Sequence, residues 1–319
     1  MRRRSLLAAS AVLSSPALAQ GDWPARPLRL IVPFPPGGSN DALARPLADV
    51  LGRMLGQPFV IENRGGAGST IGTSEFVRAP ADGYTVLLTS STFATSAATQ
   101  RTPYDAARDI ETVALLATSP LCILAAPSFP PNTMAEAVAH IRSNPGMVHY
   151  GSSGPGSIGH LSGALFALRA GRLDMVHVPY RGTGAVLNDM VAGNIQLTFT
   201  TVTAAAGLIA SGRIKLIGWT MEEVPANGPP APTPAQSGLP DYEASIWWGL
   251  MGRRGMPESI AARLHAAVQE ALNEGRLAQN MAQEGAVPSR LSRPAAEQFI
   301  QADLARWREL ASSENIRVE

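Results

Sequence analysis

The chain has 319 residues, 45% hydrophobic and 16% charged, with 26 basic residues against 25 acidic ones for a net charge of +1. That balance suits a globular protein large enough for two lobes, and beyond the first four residues there is no basic block to meet a nucleic acid. The single cysteine, Cys122, lies in the apolar run LCILAAP, so an intrachain disulfide is excluded and a buried structural thiol is expected.

Residues 1–19 read as a signal peptide. Arg2, Arg3 and Arg4 form a basic start, residues 6–13 an apolar stretch, and Ala17-Leu18-Ala19 a small-residue cleavage site. The run Arg3-Arg4-Ser5-Leu6-Leu7 also resembles a twin-arginine export signal. Later segments are too short or too interrupted to span a bilayer, so export as a soluble protein is expected.

The first mature element is RLIVPFPPGGSND, residues 29–41. Leu30, Ile31 and Val32 predict a strand buried on both faces, which the prolines at 33, 35 and 36 terminate. Gly37 and Gly38 allow a tight turn, and Ser39 or Asn40 can cap a helix starting near Asp41. The unpaired N–H groups of such a helix start suit a carboxylate or phosphate. Leu43, Leu47, Val50, Met54 and Leu55 carry the helical spacing onward, with Pro46 inside it expected to cost a hydrogen bond. Phe59-Val60-Ile61 is a second strand, feeding the glycine-rich turn 62–70 and another helix, and residues 85–89 a third strand leaving into Ser90, Ser91 and Thr92. Repeated strand–loop–helix units predict a parallel sheet with helices outside, its ligand loops at the carboxyl ends of the strands.

Residues 113–126 read as two extended pieces broken at Pro120, the second crossing to another lobe. A helix over 134–143 leads to the strand Val148-His149-Tyr150, the loop GSSGPGSIGH and a helix from 161 to 170. Strands follow at 175–178, 195–199 and 214–218, with helices after 184 and over 204–210. The stretch 224–240, with six prolines, reads as an irregular connection, and SIWWGLM, 245–251, as a strand returning to the first lobe. Helices at 257–273, 277–283 and 294–312 close the chain; Phe299, Leu304, Trp307 and Leu310 share a face of the last. The predicted division is 22–121 for the first part of lobe one, 122–244 for lobe two and 245–319 for the return segment and final helices. Two crossing strands of this kind permit hinge closure.

No catalytic set emerges. Gly154, Gly156 and Gly159 match G-x-G-x-x-G, but Asp174 precedes its strand where a ribose carboxylate should follow one. Ser153 and Ser157 both miss the G-x-S-x-G elbow because Pro155 stands where a glycine belongs. The histidines 140, 149, 160, 177 and 265 have no metal-ligand spacing. His160, at a helix start, either bonds nearby backbone or contacts a ligand, and Arg181, at a strand mouth, can face an anion.

The segments WPARPLRLIVPFPPGGSNDALAR, FVIENRGGAGSTIG, ADGYTVLLTSST, HYGSSGPGSIGHLSGALF, HVPYRGTGAVLNDMVAGNIQLTF and GLPDYEASIWWGLMGRRGMP occur in this order. Together they resemble the Bug family, the extracytoplasmic substrate-binding components of tripartite tricarboxylate transporters. Departures from the family pattern are Pro36, Gly184-Ala185 and Arg253-Arg254-Gly255. The resemblance implies a two-lobed α/β periplasmic binding protein (type II-like), each lobe a mostly parallel sheet flanked by helices, with a cleft between lobes. It implies a small organic acid as ligand, membrane transporter subunits as partners, a monomeric state, and no cofactor, metal or chemistry. Transferred onto this chain, the family's ligand loops bring forward Phe34, Gly37, Gly38, Ser39, Asn40 and Asp41, then Ser90 and Ser91. From the second lobe they bring Ser153, Gly154, Gly156, Ser157 and His160, then Tyr180, Arg181 and Gly182, then Thr200 and Thr201. Asp41 would stabilise its helix start or bind an amino group. An exported α/β enzyme acting on a small anion, or a carboxylate sensor without a transporter, are the alternatives.

Overall fold

A computed structural model of the protein describes residues 23–225 and 228–317, so the expected signal peptide and its twin-arginine run lie outside the described residues. The first unit consists of β1 (Leu28–Val32), α1 (Ser39–Leu55), β2 (Phe59–Asn63), α2 (Thr70–Val77), β3 (Thr85–Ser90) and α3 (Thr92–Thr99). Then β4 (Ile110–Pro120) runs almost without a break into β5 (Cys122–Ala125). The second unit continues with α4 (Met134–Ser143), β6 (Val148–Ser152), α5 (Ile158–Arg169), β7 (Met175–Pro179), α6 (Thr183–Val191), β8 (Leu197–Thr200), α7 (Ala206–Ala210) and β9 (Lys215–Trp219). The chain returns through β10 (Ser245–Arg253) and ends in α8 (Glu258–Ala271), α9 (Gly275–Gln283), β11 (Val287–Pro288) and α10 (Arg293–Ser313).

Two mixed sheets result, ordered β11-β4-β10-β3-β1-β2 and β7-β6-β8-β5-β9. In the first, β1 pairs in parallel with β2 and β3, whereas β10 runs antiparallel to both β3 and β4. In the second, β6 is parallel to β7 and β8, whereas β5 runs antiparallel to β8 and β9. The antiparallel strands β5 and β10 are the ones that enter from the other sheet, and their direction has a simple cause. A strand leaving one sheet at the carboxyl end of its neighbours enters the next sheet at the same junction, so it must run against strands whose carboxyl ends also face that junction. The register agrees: Cys122 at the start of β5 lies opposite Thr200 and Trp219, and Ser245 at the start of β10 lies opposite Pro120. The carboxyl ends of both sheets therefore meet, which is where loops carry ligands in open α/β sheets.

The crossings are tied together at one point. Thr220 Oγ1 lies 2.8 Å from the carbonyl of Leu121 and 2.6 Å from that of Ala244, and the Thr220 N–H donates to Leu121 as well. Buried aromatics fill both sides: Trp247, Trp248, Phe93 and Trp307 around the first sheet, Phe166, Phe199, Trp219 and Tyr242 around the second. Trp247 Nε1 donates to Asp303 Oδ2 at 2.8 Å, fixing α10 on the returning strand. Leu304, Trp307 and Leu310 of α10 are buried and Phe299 is half-buried, in line with the expected face.

Pro46 does not end α1, which runs through it. Proline has no N–H for the carbonyl four residues back. That carbonyl, Ala42 O, accepts instead from Asn280 Nδ2 of α9 at 2.7 Å. The sequence pattern gave no sign of α3, a helix of small and polar residues, or of the two-residue strand β11.

Candidate functional site

The loop between β1 and α1 begins with Gly37 at φ +84, the left-handed region that only glycine enters cheaply. Gly38, the residue before the helix, is extended at φ −86 with no side-chain cap. The expectation that Ser39 or Asn40 would cap a helix starting near Asp41 is therefore corrected: the helix begins at Ser39 itself. The fastening comes from Asp41, which is 3% exposed. Its Oδ2 accepts from the Gly37 N–H at 2.9 Å and from Arg45 Nε at 2.8 Å. Its Oδ1 accepts from Arg45 at 3.0 Å and Asn63 Nδ2 at 3.1 Å. Burial alone would raise this carboxyl, but the Gly37, Arg45 and Asn63 donors outweigh it and hold the group below the usual carboxylate range. Asn63 also holds the loop from below by donating to Phe34 O at 3.2 Å. The first helical bond runs from Ala42 N–H to Gly38 O, so the N–H groups of Ser39, Asn40 and Asp41 have no helical acceptor. Beside them, Ser39 Oγ and Asn40 Oδ1 are buried without a hydrogen-bond partner, as is Ser90 Oγ at the end of β3. Ser91 is committed otherwise: its hydroxyl accepts from the Trp247 N–H at 3.2 Å, in the crossing region.

The opposing loop follows β6. Gly154 and Gly156 adopt φ +133 and +73. Ser157 caps α5: its hydroxyl donates to Gly154 O at 2.7 Å and accepts from His160 N–H at 3.4 Å. His160 Nδ1 accepts from the Gly156 N–H at 3.1 Å, the backbone-bonding reading of the sequence. Ser153 is exposed. This loop rests directly on α3 of the other unit. Ile158 N–H approaches Thr92 Oγ1 at 3.4 Å, Ser96 Oγ approaches Gly156 O at 3.3 Å, and Gln100 Nε2 approaches Pro155 O at 3.4 Å. Ser96 also donates to Gly68 O at 2.6 Å, so the glycine-rich turn after β2 joins the same contact. The described form is closed on this side.

His160 stacks on His177 with ring centroids 3.8 Å apart, and Tyr150 packs against both. Burial lowers His160 to about 4. Burial, and then the neighbouring imidazole, lower His177 to about 3. Ser152 Oγ lies 2.7 Å from His177 Nε2, yet the same hydroxyl donates to Gly154 O at 2.9 Å, so the pair is part of the loop's framework. Tyr180 spends its hydroxyl on Asp189 Oδ2 at 2.7 Å, and burial followed by that carboxylate raises it to about 12. Gly182 is the φ +123 residue before α6, and Arg181 is exposed with no ion pair among the described residues. Thr200 O accepts from the Cys122 thiol at 3.1 Å, while Thr201 is buried.

One acid in this region was not singled out in the sequence. Glu284 follows α9 and is 6% exposed, with Oε2 buried and unpartnered. Burial raises its carboxyl, and the hydroxyls of Ser39 and Thr201, near it from either side of the junction, partly counter that rise, although Ser39 Oγ forms no hydrogen bond with it. Ser119 donates to its carbonyl at 2.9 Å. Two cavities border this region. One, about 270 Å³, is walled by Tyr150, His160, Arg172 and Glu314, among others. The second, about 360 Å³, is walled by Val202, Thr203, Pro225 and Gln283, among others. Among the described residues there is no group of three or more potential metal ligands and no helix long and apolar enough to cross a membrane.

Comparison with known proteins converges on one family. The pattern described as "Tripartite tricarboxylate transporter family receptor" matches residues 43–316. Protein BugT of Bordetella pertussis is 33% identical over 303 residues, covering 94% of this chain and 92% of that one. Among solved structures, Rpa4515 of R. palustris with adipate has a TM-score of 0.85 at 33% identity, covering 93% of this chain and 99% of that one. MatC of Rhodopseudomonas palustris with bound malate has a TM-score of 0.83 at 30% identity, covering 90% and 99%. With two sheets joined at their carboxyl ends, and a family match spanning most of its length, the chain belongs to the tripartite tricarboxylate transporter receptors, the family that includes the Bug proteins.

Proposed function

We propose that this protein captures a small organic carboxylate between its two lobes in the periplasm and presents it, unchanged, to the membrane subunits of a tripartite tricarboxylate-type transporter. Lobe one is residues 22–121 with 245–319, lobe two is 122–244, and closure turns on the crossings tied at Thr220. The observation that carries this reading is the start of α1. Free N–H groups of its first turn stand with the buried, unpartnered polar atoms Ser39 Oγ and Asn40 Oδ1, and Ser90 Oγ is a further buried, unpartnered atom at the carboxyl end of β3 in the same sheet. Such groups are costly to leave unmade and are satisfied by a ligand with several acceptor oxygens. The positive end of the helix supplies the electrostatics without a lysine or arginine in the loop. Adipate and malate in the two solved relatives are ligands of this chemistry.

Thermal-shift screening of the exported form against adipate, malate and related dicarboxylic and tricarboxylic acids tests the reading. An acid at a hundredfold excess over its dissociation constant adds about 2.7 kcal/mol to stability. A saturable rise in melting temperature with the acid recovered unchanged supports capture. Turnover of the acid, or no shift with any member of the panel, contradicts it.

A further inference from the structure

Glu284 stands where the two ligand-facing surfaces meet, and nothing in the capture of an anion explains an acid there. It belongs to the turn after α9, with its N–H bonded to Asn280 O at 3.0 Å. The turn is placed by Asn280 on Ala42 of α1, by Ser119 at the end of β4 and by Thr203 after β8, with the Ser39 and Thr201 hydroxyls close to the carboxyl. More than nine-tenths of the residue is buried, and Oε2 has no partner. Among the described residues no cation pairs with it. On α1, Asp41 pairs with Arg45, and Arg53 pairs with Glu274 at the start of α9. From β4 comes Ser119, and from the segment after β8 come Thr201 and Thr203, whose hydroxyl bonds Gln283 O; none of these carries charge. Glu284 also sits at the carboxyl, negative end of α9, which disfavours a second negative charge.

An ionised carboxylate in this position would face the incoming carboxylate of the ligand across a desolvated gap. Two carboxylates sharing a site cannot both be ionised cheaply; one proton is held between them. Building on the carboxylate reading above, we propose that Glu284 is a ligand-contacting, specificity-determining residue that donates a hydrogen bond, as the neutral acid, to a carboxylate of the bound ligand. Capture of a fully ionised dicarboxylate is therefore coupled to uptake of one proton at Glu284. The proton comes from solvent, passes to a Glu284 oxygen and returns when the ligand leaves; no covalent bond of the ligand changes. The arrangement favours acids that present an acceptor oxygen next to Ser39 and Thr201. It disfavours those presenting an ammonium group, which would call for the ionised form. Burial already raises the Glu284 carboxyl in the unliganded chain, which favours the neutral donor form and moves the uptake to the pH range in which the free protein has lost this proton.

The test is isothermal titration with adipate, malate and aspartate at about pH 7 and about pH 8.5, above the titration range of free carboxylic acids. Each titration is run in two buffers of different ionisation enthalpy, so that proton uptake is read from the wild-type protein directly. The expected result for a dicarboxylate is net uptake approaching one proton per ligand, with affinity falling up to about tenfold per pH unit once the unliganded Glu284 ionises. Glu284→Gln, nearly isosteric, abolishes the uptake and flattens the pH dependence, and Glu284→Leu, without a donor, weakens binding roughly tenfold or more. Dicarboxylate binding without proton uptake at either pH, and with no fall in affinity between them, overturns this inference while leaving carboxylate capture standing. Preferred binding of aspartate, lost in Glu284→Gln, also overturns it, because Glu284 would then pair an ammonium as a carboxylate. No binding of any acid overturns the carboxylate reading and this inference with it.

Discussion

Gly37 and Gly38 look alike in the sequence, yet the structure gives them different tasks. Gly37 holds φ +84 with open space around it, so a side chain there meets backbone strain and no clash. Gly38 holds an ordinary extended φ of −86, and an added Cβ would lie 3.9 Å from Pro35 O, in normal contact. Of the two glycines that the sequence offers for the tight turn, only Gly37 thus uses a positive φ. Gly37→Val is expected to cost roughly 1–2 kcal/mol of stability. Gly38→Val should stay within about 1 kcal/mol of wild type. It should nevertheless weaken acid binding, because its methyls stand over the N–H groups of the α1 start. Urea unfolding and titration of both variants check this; a Gly38→Val protein that binds as wild type removes the ligand from this loop.

The stacked histidines give a second residue-level prediction. Both are neutral in the fold, near 4 for His160 and 3 for His177, but ordinary in the unfolded chain. Between about pH 6.5 and those folded values the unfolded chain binds more protons. The stability they contribute is therefore complete above about pH 6.5 and is lost as pH falls toward the folded values, by at most about 1.4 kcal/mol per pH unit for each histidine. A His160→Asn, His177→Gln double variant should show a shallower fall of urea midpoint between pH 6.5 and 4 than wild type. Equal slopes would show that the imidazoles are not buried as neutral bases.

At the scale of elements, Pro46 and Asn280 form a repair. The carbonyl of Ala42 loses its helical donor to Pro46 and regains one from Asn280, on a helix more than two hundred residues later in the chain. Asn280→Ala should cost about 1–2 kcal/mol in the wild-type background. In a Pro46→Ala background, where the residue 46 N–H is restored, it should cost clearly less, and a double-mutant cycle by chemical unfolding measures the difference. Equal costs in both backgrounds would show that Asn280 acts through something other than this carbonyl. The same bond seats α9 on α1 and so positions Glu284 beside Ser39.

The cases above also show what could be read in the sequence. The strands β1 and β10 announce themselves through the apolar runs 30–32 and 246–251, and the loop GSSGPGSIGH through its glycines and its place between strand and helix. The helix Thr92–Thr99 did not, because TFATSAAT has no apolar period; the contacts that support it come from α10 and the loop at Gly156. Asp41 could be placed at a helix start, but not its hydrogen-bond partners, and Ser157 reads as loop before a helix at 161, whereas it caps a helix that begins at Ile158. Glu284 was invisible as a site residue, since only the return of the chain through β10 brings it back to the start of α1.

For the molecule as a whole, the two sheets face each other with their carboxyl ends and two crossings meet at Thr220, about which the proposed closure would turn. The junction is closed here through Thr92, Ser96 and Gln100 against residues 155–158. The central claim is that an acid is held inside this closure, with a carboxylate on the first turn of α1. The most direct measurement is a crystal structure of the protein grown with an acid that raises its melting temperature. The account predicts a closed form with carboxylate oxygens within about 3 Å of the Ser39 and Asn40 N–H groups. Ligand density in the cavity beside His160 and Arg172 instead, with the start of α1 unliganded, would contradict it.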